Sequence, residues 1–263
     1  MTIHYNNILH NQSLAVRTNV LQEVKKVIEK VEPDFDSVEK YKTNIVEWLK
    51  PVVDLTDFHV YPMNGITEGL NWWYYQDNRS VYMDEGDYQW IQSRGNMYDN
   101  CIKYVSVPSA IHGNFTTIPE NTPTAVDLAY VGSTKIKKIN LPKNVEYVFY
   151  SFSKPFGIRN VRTGWIFTKQ KDSKLDALIH SAKYYNYFAN SVSEAIIKNF
   201  DVDFIYNSLY NKQKTICEEL DIVPSDSVWL ATSTREEYQK FRRSGDTARL
   251  CLAGIYNEQE TLT

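Results

Sequence analysis

The feature that most constrains the fold is a series of short apolar segments between residues 58 and 168, separated by helical or loop segments. Several of these segments are apolar on both faces, as strands of a parallel sheet are when helices cover both sides. The alternation therefore predicts an α/β domain. The predicted strands span residues 58–61, 80–83, 102–107, 125–129, 146–152 and 165–168, and the predicted helices span residues 67–75 and 175–185.

The segments that flank this region have different patterns. Apolar residues recur at helical spacing over residues 16–31, and a second helix, opened by a capping-box-like Asp36 and Glu39, ends at Pro51. After residue 187 the pattern predicts a small α+β region. It consists of a long helical stretch to residue 220, a strand at 228–231, a helix at 235–242 and a strand at 248–252.

These patterns divide the chain into three parts. We expect a central α/β domain over residues 51–186 and a C-terminal small α+β domain over residues 187–263. An N-terminal helical segment over residues 1–50 is expected to pack with the small domain.

Composition excludes several classes of protein. The 263 residues include 29 Lys and Arg against 32 Asp and Glu, so there is no basic surface to attract nucleic acid or an anionic membrane. No apolar run is long enough to span a membrane. Three well-separated cysteines, Cys101, Cys217 and Cys251, indicate neither a zinc site nor a disulfide framework, so we expect a cytoplasmic protein without a metal.

The stretch from Ser151 to Trp165 carries most of the chemical information. A predicted strand ends at Phe152, Lys154 follows at once, and two arginines precede the next predicted strand. A lysine in this position lies at the carboxyl edge of an α/β sheet, where ligands bind. Taken alone, such a lysine is more often a surface charge, so its interpretation depends on the accompanying residues.

Ser151, Lys154, Arg162 and Gly164 resemble the lysine signature of the fold type I pyridoxal-phosphate (PLP) enzymes, the superfamily of aspartate aminotransferase. In that signature a Ser lies three residues before the lysine that forms a Schiff base with PLP, an Arg eight after it and a Gly ten after it, as here. The resemblance implies the PLP-transferase fold type I: a mostly parallel central sheet flanked by helices, with a reduced α+β small domain. It also implies PLP as cofactor, with Ser151 and Arg162 at its phosphate.

Upstream, Asp127-Leu128-Ala129-Tyr130 is similar to the D-x-A-Y element of that superfamily. There the carboxylate keeps the pyridine nitrogen of PLP protonated, and the tyrosine hydroxyl bonds the phenolic oxygen of the ring. Without the other motifs, Asp127 would be interpreted as a cap or turn residue near a strand end.

The turn that begins at Asn64 follows a predicted strand and opens a helix. It is similar to the superfamily's phosphate-binding turn, in which backbone N–H groups at a helix N-terminus hold an anion. Gly65, Ile66 and Thr67 are the residues that this similarity assigns to the phosphate. A Gly-containing turn with capping residues is the alternative interpretation.

Two further positions are expected near the cofactor. Tyr88 is our choice for the aromatic ring that stacks on the pyridine, with Trp90 and the run Trp72-Trp73-Tyr74-Tyr75 as competitors. Arg249, in an otherwise apolar strand, is expected to bind the substrate α-carboxylate, and Cys251 would lie on the same side of that strand. An Arg on the solvent face of an edge strand is the alternative.

One segment departs from the superfamily pattern. Where many members carry Asn before Pro, this chain has Val107, and Ser109, His112 or Asn114 are the candidates to replace that Asn. The chain is also shorter than ordinary aminotransferases, mainly in the predicted small domain.

The resemblance implies a PLP-dependent aminotransferase that moves an amino group between an amino acid and a keto acceptor, with Lys154, Asp127 and Tyr130 as catalytic residues and a homodimer as the assembly. The alternatives are a PLP-dependent lyase, decarboxylase or racemase, and a PLP-binding relic without catalysis. Ser151 and Lys154 also satisfy the S-x-x-K motif of penicillin-recognising enzymes. The partner motifs of that class have only poor candidates, at residues 225–227 and 214–216, and these occur in the wrong order.

Overall fold

The computed structural model describes residues 19–34, 38–88 and 100–258, together with residues 91, 93 and 95. The strands are β1 (His59–Pro62), β2 (Ser80–Tyr82), β3 (Cys101–Ser106), β4 (Thr124–Asp127), β5 (Val145–Tyr150), β6 (Trp165–Thr168), β7 (Val223–Pro224), β8 (Leu230–Ser233), β9 (Arg242–Ser244) and β10 (Thr247–Cys251). The helices are α1 (Asn19–Ile28), α2 (Val38–Leu49), α3 (Ile66–Gln76), α4 (Ser173–Asp176), α5 (Tyr187–Asn199), α6 (Phe204–Leu220) and α7 (Ala253–Glu258). Within these described ranges, no helix combines the length and the apolar character that a membrane crossing requires.

The first six strands form one sheet in the order β1-β6-β5-β4-β3-β2. Strands β2 to β5 are parallel to one another, and β6 is antiparallel to both β5 and β1. Each strand predicted between residues 58 and 168 is present, with small differences at the ends. The predicted α/β class and mostly parallel sheet are therefore confirmed.

The register of the parallel strands places their carboxyl ends side by side. Ser106 at the end of β3 pairs with Asp127 at the end of β4, and Asp127 pairs with Phe149 near the end of β5. All four residues of β4 are buried. Its neighbouring residues Ala125 and Val126 enter two different hydrophobic clusters, which cover the two faces of the sheet.

The last four strands form a second, antiparallel sheet in the order β7-β8-β10-β9. Leu230 and Leu250 from this sheet belong to the same hydrophobic cluster as Val105 and Val126 from the first sheet. The two sheets thus share a core. The division of the chain into segments 1–50, 51–186 and 187–263 remains a prediction.

The N-terminal helices pack against α5. The indole Nε1 of Trp48 in α2 donates a hydrogen bond to the carbonyl of Phe200 at 2.8 Å. In the same interface Asn44 Nδ2 contacts Glu194 Oε1 at 2.5 Å. Residues 1–18, at the start of the predicted N-terminal segment, and Asp36 of the proposed capping box lie outside the described residues.

Two predicted helices are wrong in extent. The helix predicted over residues 175–185 is only the short α4 followed by a π-helical turn at Ala177–Ser181, and it ends before Lys183, whose φ of 50° is left-handed. The stretch from 187 to 220 is two helices, because Phe200 adopts an extended conformation and both Phe200 and Val202 turn into the core. Burial of these side chains outweighs the helical periodicity of the sequence.

Gln213 in α6 ties this helix to the second sheet, since its Nε2 lies within 3.1 Å of the carbonyls of Ser225, Ser227 and Leu230. We expect Gln213→Leu to lower the free energy of unfolding by about 1–3 kcal/mol, because it removes one donor from each of these buried carbonyls, of which those of Ser227 and Leu230 keep a backbone donor. Urea unfolding monitored by circular dichroism measures this loss. Asn211→Leu, an exposed position in the same helix, is the control. An equal effect of the two substitutions would contradict this role.

Candidate active site

The candidate site lies at the carboxyl edge of the parallel strands. Asp127 ends β4, Lys154 follows β5, and Asp87 and Tyr88 follow β2. Crevices at this edge are the usual ligand sites of open α/β sheets. Residues that are far apart in sequence thus meet because their strands are parallel and in register.

The amine of Lys154 contacts two tyrosine rings. Its Nζ lies 4.4 Å from the ring centroid of Tyr130 and 5.3 Å from the ring centroid of Tyr88. Both distances are within the range of cation–π attraction. The structure therefore brings together Lys154, Tyr88 and Tyr130, three of the residues singled out from the sequence.

The other candidates for the stacking aromatic lie in different surroundings. Trp73 is buried and packs on Tyr104 and Phe149 in the core. Trp72 donates from Nε1 to Asp172 Oδ2 at 3.0 Å, and Tyr75 is 76% exposed. Trp90 is outside the described residues. Tyr88, by contrast, lies beside the Lys154 amine, where a ring that stacks on the pyridine is expected.

Asp127 is a buried carboxylate with both oxygens hydrogen-bonded. The hydroxyl of Tyr104 donates to Oδ2 at 2.6 Å, and the backbone N–H of Ala129 donates to Oδ1 at 2.7 Å. Burial raises the pKa of Asp127 above its usual value, although the Lys154 ammonium and the two hydrogen bonds oppose this shift. The carboxyl is thus held in one orientation in a poorly solvated place.

Tyr130 has the opposite electrostatic setting. Its burial acts to raise the pKa of the phenol, but the positive charges of Lys154, Arg249 and Arg243 outweigh this and leave the pKa below its usual value. Arg249 Nη1 lies 3.2 Å from the Tyr130 hydroxyl oxygen and donates to the carbonyl of Ala110 at 2.6 Å. Arg249 is buried in β10 and therefore reaches the site from the second sheet, and Cys251, two residues further along β10, is buried as well.

A backbone cradle lies where β1 leads into α3. Gly65 precedes this helix with a φ of 81°, which glycine adopts without strain. A Cβ on Gly65 would lie 2.5 Å from Arg162 Nη2, and a Cβ on Gly164 would lie 2.5 Å from Gly65 Cα. Both positions therefore require glycine, because a side chain at Gly65 would meet the Arg162 guanidinium and one at Gly164 would meet the backbone of Gly65.

Arg162 is oriented toward this helix start. It has a left-handed φ of 62°, and its Nη2 donates to the carbonyl of Asn64 at 3.0 Å. Ile66 and Thr67 form the first turn of α3, whose N–H groups have no acceptor one turn earlier in the helix. The Ser151 hydroxyl lies 2.6 Å from the Thr163 carbonyl and accepts from Ser153 N at 3.0 Å, so in this structure it braces the loop that carries Arg162.

The segment after Val107 connects the two sheets. Asn114 Oδ1 accepts from the N–H of Asp226 at 2.8 Å, and the carbonyl of His112 accepts from the Ser225 hydroxyl at 2.7 Å. The Ser109 hydroxyl accepts from the N–H of Ile111 at 3.1 Å within its own turn. The choice among Ser109, His112 and Asn114 as a replacement for the superfamily's Asn stays open. The hydrogen bonds of the Ser109 hydroxyl and of Asn114 Oδ1 hold the turn and fasten it to the second sheet.

Sequence reasoning missed two side chains of this site. Tyr104 is the donor to Asp127, and Asp87 accepts from the Ser106 hydroxyl at 2.6 Å and from the N–H of Tyr88 at 2.7 Å. Asp87 thereby ties the turn that carries Tyr88 to the end of β3. The spacing of Tyr104 and Ser106 was the available sequence signal. Two polar residues two positions apart in a buried strand face the same side of the sheet.

The raised pKa of Asp127 predicts how stability depends on pH. Between the unfolded and folded pKa values the folded state binds more protons, so the stability from this group falls as the pH rises. The Asp127→Asn variant cannot titrate, so we expect its free energy of unfolding to improve relative to the wild type as the pH rises from about 4 through the raised folded pKa of Asp127. Urea unfolding at several pH values measures this difference.

Asp54→Asn provides a control of opposite sign. The hydrogen bonds from Thr56 lower the pKa of Asp54, so the wild type gains stability from this group as the pH rises. The Asp54→Asn variant should therefore lose ground relative to the wild type as the pH rises toward about 4, and its difference from the wild type should stay constant at higher pH. A pH-independent difference between Asp127→Asn and the wild type would show that burial does not govern this carboxyl.

Comparison with known proteins bears on the fold. No protein-family model and no curated protein sequence matches this chain. The PLP-bound histidinol-phosphate aminotransferase of Sinorhizobium meliloti is similar in structure, with a TM-score of 0.65 and 12% identity over 97% of this chain and 91% of the other.

Two other similar solved structures are named for different reactions. The PLP-bound C-S lyase of Staphylococcus hominis has a TM-score of 0.65 and 12% identity over 93% of this chain and 87% of the other. The L-threonine-O-3-phosphate decarboxylase of Porphyromonas gingivalis has a TM-score of 0.57 and 14% identity over 95% and 98%. This chain has their fold, so the predicted PLP-transferase fold type I is confirmed.

Proposed function

We propose that this chain is a PLP-dependent enzyme whose reaction transfers an amino group from an amino acid donor to a keto acceptor. The observation that carries the proposal is the Lys154 amine, which contacts the rings of Tyr88 and Tyr130 at the edge of the sheet where Asp127 ends β4. The fold supports the same conclusion, because solved structures with this fold include PLP-bound enzymes.

The cradle at α3 fits the phosphate of PLP. Gly65 keeps a side chain out of the space beside Arg162, and Gly164 lets its own segment approach the Gly65 backbone. The first-turn N–H groups of Ile66 and Thr67 are donors at the positive end of a helix dipole. The guanidinium of Arg162 supplies a planar set of donors suited to phosphate oxygens. In the proposal Ser151 adds a hydroxyl from the loop that carries Arg162.

The residues around Lys154 fit the ring of the cofactor. Asp127 would accept a hydrogen bond from a protonated pyridine nitrogen, since the carboxylate oxygens retain lone pairs beyond those used by Tyr104 and Ala129. Tyr130, whose pKa is lowered by neighbouring cations, would bond the phenolic oxygen. Tyr88 would cover one face of the ring.

When bound, PLP supplies an electron sink for the bond that breaks at the substrate α-carbon. Lys154 would hold the cofactor and, once released by an incoming amine, act as the general base that moves the α-proton. Arg249 would orient the substrate carboxylate, because its guanidinium lies beside the Tyr130 hydroxyl. The burial of Asp127, Tyr130 and Arg249 keeps water away from these charged contacts.

A second candidate is a PLP-dependent lyase or decarboxylase. Structural neighbours named as a C-S lyase and a decarboxylase favour it, because the same fold carries both reactions. Racemization and a non-catalytic PLP-binding relic are further alternatives. A homodimer also remains a proposal, which sedimentation equilibrium of the purified protein would test.

The cofactor proposal predicts a difference between two lysine variants. We expect the wild type to bind PLP with a visible absorption band and Lys154→Ala to lose that band, since the substitution removes the amine that would form the Schiff base. Lys183→Ala, at an exposed lysine that follows the π-helical turn, should keep it. Borohydride reduction followed by peptide mass mapping should place the added mass on Lys154. A band that persists in Lys154→Ala would contradict the assignment.

The aminotransferase proposal predicts the fate of the cofactor. An amino donor should bleach the visible band of the loaded enzyme and leave pyridoxamine phosphate, and a keto acid should restore it. A spectral screen of amino acids and amino sugars, with products identified by mass spectrometry, measures this. Turnover without pyridoxamine phosphate would favour the lyase or decarboxylase, and PLP binding without any turnover would favour the relic.

A further inference from the structure

The hydrogen bond between Tyr104 and Asp127 is an interaction that the residues singled out from the sequence do not include. The Tyr104 hydroxyl lies 2.6 Å from Asp127 Oδ2, at the short end of the range for a charge-assisted O–H to carboxylate bond. Tyr104 is fully buried and Asp127 is 2% exposed. Water therefore does not compete with this contact.

The position of the Tyr104 hydroxyl is set by the sheet and the core. Tyr104 pairs with Ala125 in the parallel ladder, so its side chain lies diagonally from Asp127 on the same face. The Trp73 indole stacks on the Tyr104 ring, with 6.3 Å between centroids and 21° between planes. A ring packed in this way cannot swing its hydroxyl away without disturbing the core.

The charges around the pair define which partner holds the proton. Burial, and then the negative charges of Asp127 and Asp87, raise the pKa of Tyr104 well above its usual value. Tyr104 is therefore a hydrogen-bond donor at every physiological pH. The Asp127 carboxyl is faced by Lys154 after β5, by Tyr104 of β3, by the N–H of Ala129 and by Asp87 after β2. Of these, only Asp87 acts with burial to favour the protonated carboxyl.

We propose that Tyr104 is a positioning residue that keeps Asp127 ionised and fixed in orientation for the protonated ring nitrogen of the cofactor. This inference rests on the proposed function. Together with Ala129 N, which bonds the other oxygen, the Tyr104 hydroxyl prevents the carboxylate from rotating. The remaining lone pairs are then aimed in a constant direction.

The test compares Tyr104→Phe with Tyr150→Phe. Tyr150 is also fully buried in this sheet, and its hydroxyl has no hydrogen-bond partner among the described residues. Both variants delete a buried hydroxyl, but only Tyr104→Phe deletes a bond to Asp127. Carbon-13 NMR of the protein without added PLP follows the titration of the Asp carboxyls, and Asp127→Asn identifies the Asp127 resonance by its loss.

We expect the Asp127 resonance to titrate at higher pH in Tyr104→Phe than in the wild type, and to be unchanged in Tyr150→Phe. PLP affinity, measured by fluorescence quenching, should fall about tenfold at neutral pH in Tyr104→Phe, in line with the loss of one hydrogen bond to a charged group. Affinity should recover toward the wild-type value as the pH rises, because the carboxyl ionises again.

The two readouts separate failure of the inference from failure of the proposed function. A Tyr104→Phe titration that matches the wild type would overturn the role of Tyr104, as would equal losses of affinity in both variants at all pH values. A wild type that binds no PLP would overturn the proposed function and, with it, the cofactor part of this inference. In that case the carboxyl titration would still decide whether Tyr104 sets the charge of Asp127.

Discussion

The parallel pairing of β3, β4 and β5 is the constraint on which the candidate site depends. Their register places Ser106, Asp127 and the end of β5 side by side, and Lys154 follows a few residues later. Because parallel strands end at one edge, side chains separated by up to fifty residues become neighbours. A shift of one residue in β4 would turn Asp127 to the opposite face and away from Tyr104.

The same geometry brings several charged side chains together in a buried place, and their interactions set the electrostatics of the site. The carboxylates of Asp87 and Asp127 lie among three cationic side chains, Lys154, Arg243 and Arg249, so most of the charge is balanced within the site. Burial and the charge of Arg249 lower the pKa of Arg243, while Tyr130 and Asp87 favour its charged form. Opposite pKa shifts at Asp127 and Tyr130 are typical of functional sites, because they prepare neighbouring groups for different protonation states.

The second sheet completes the site. Arg249 reaches Tyr130 from β10, and the Ala110 carbonyl holds its guanidinium in place. The bonds from Ser225 and Asp226 to the 112–114 turn fasten the two sheets beside this contact. A residue expected to bind the substrate carboxylate is thus carried on a different sheet from the residues expected to hold the cofactor, and the shared core sets their separation.

The sequence by itself determined the α/β class, the parallel strands and most of the candidate site, because periodicity and motif spacing are local properties. Lys154, Asp127, Gly65 and Arg162 were all identifiable in this way. The end of α5 was not, since burial of Phe200 and Val202 overrides helical periodicity. Only the tertiary structure decided that Tyr104 bonds Asp127, that Asp87 holds the Tyr88 turn and that Ala110 holds Arg249. Each of these contacts joins different strands or loops, so it depends on register and packing that no single segment of the chain encodes.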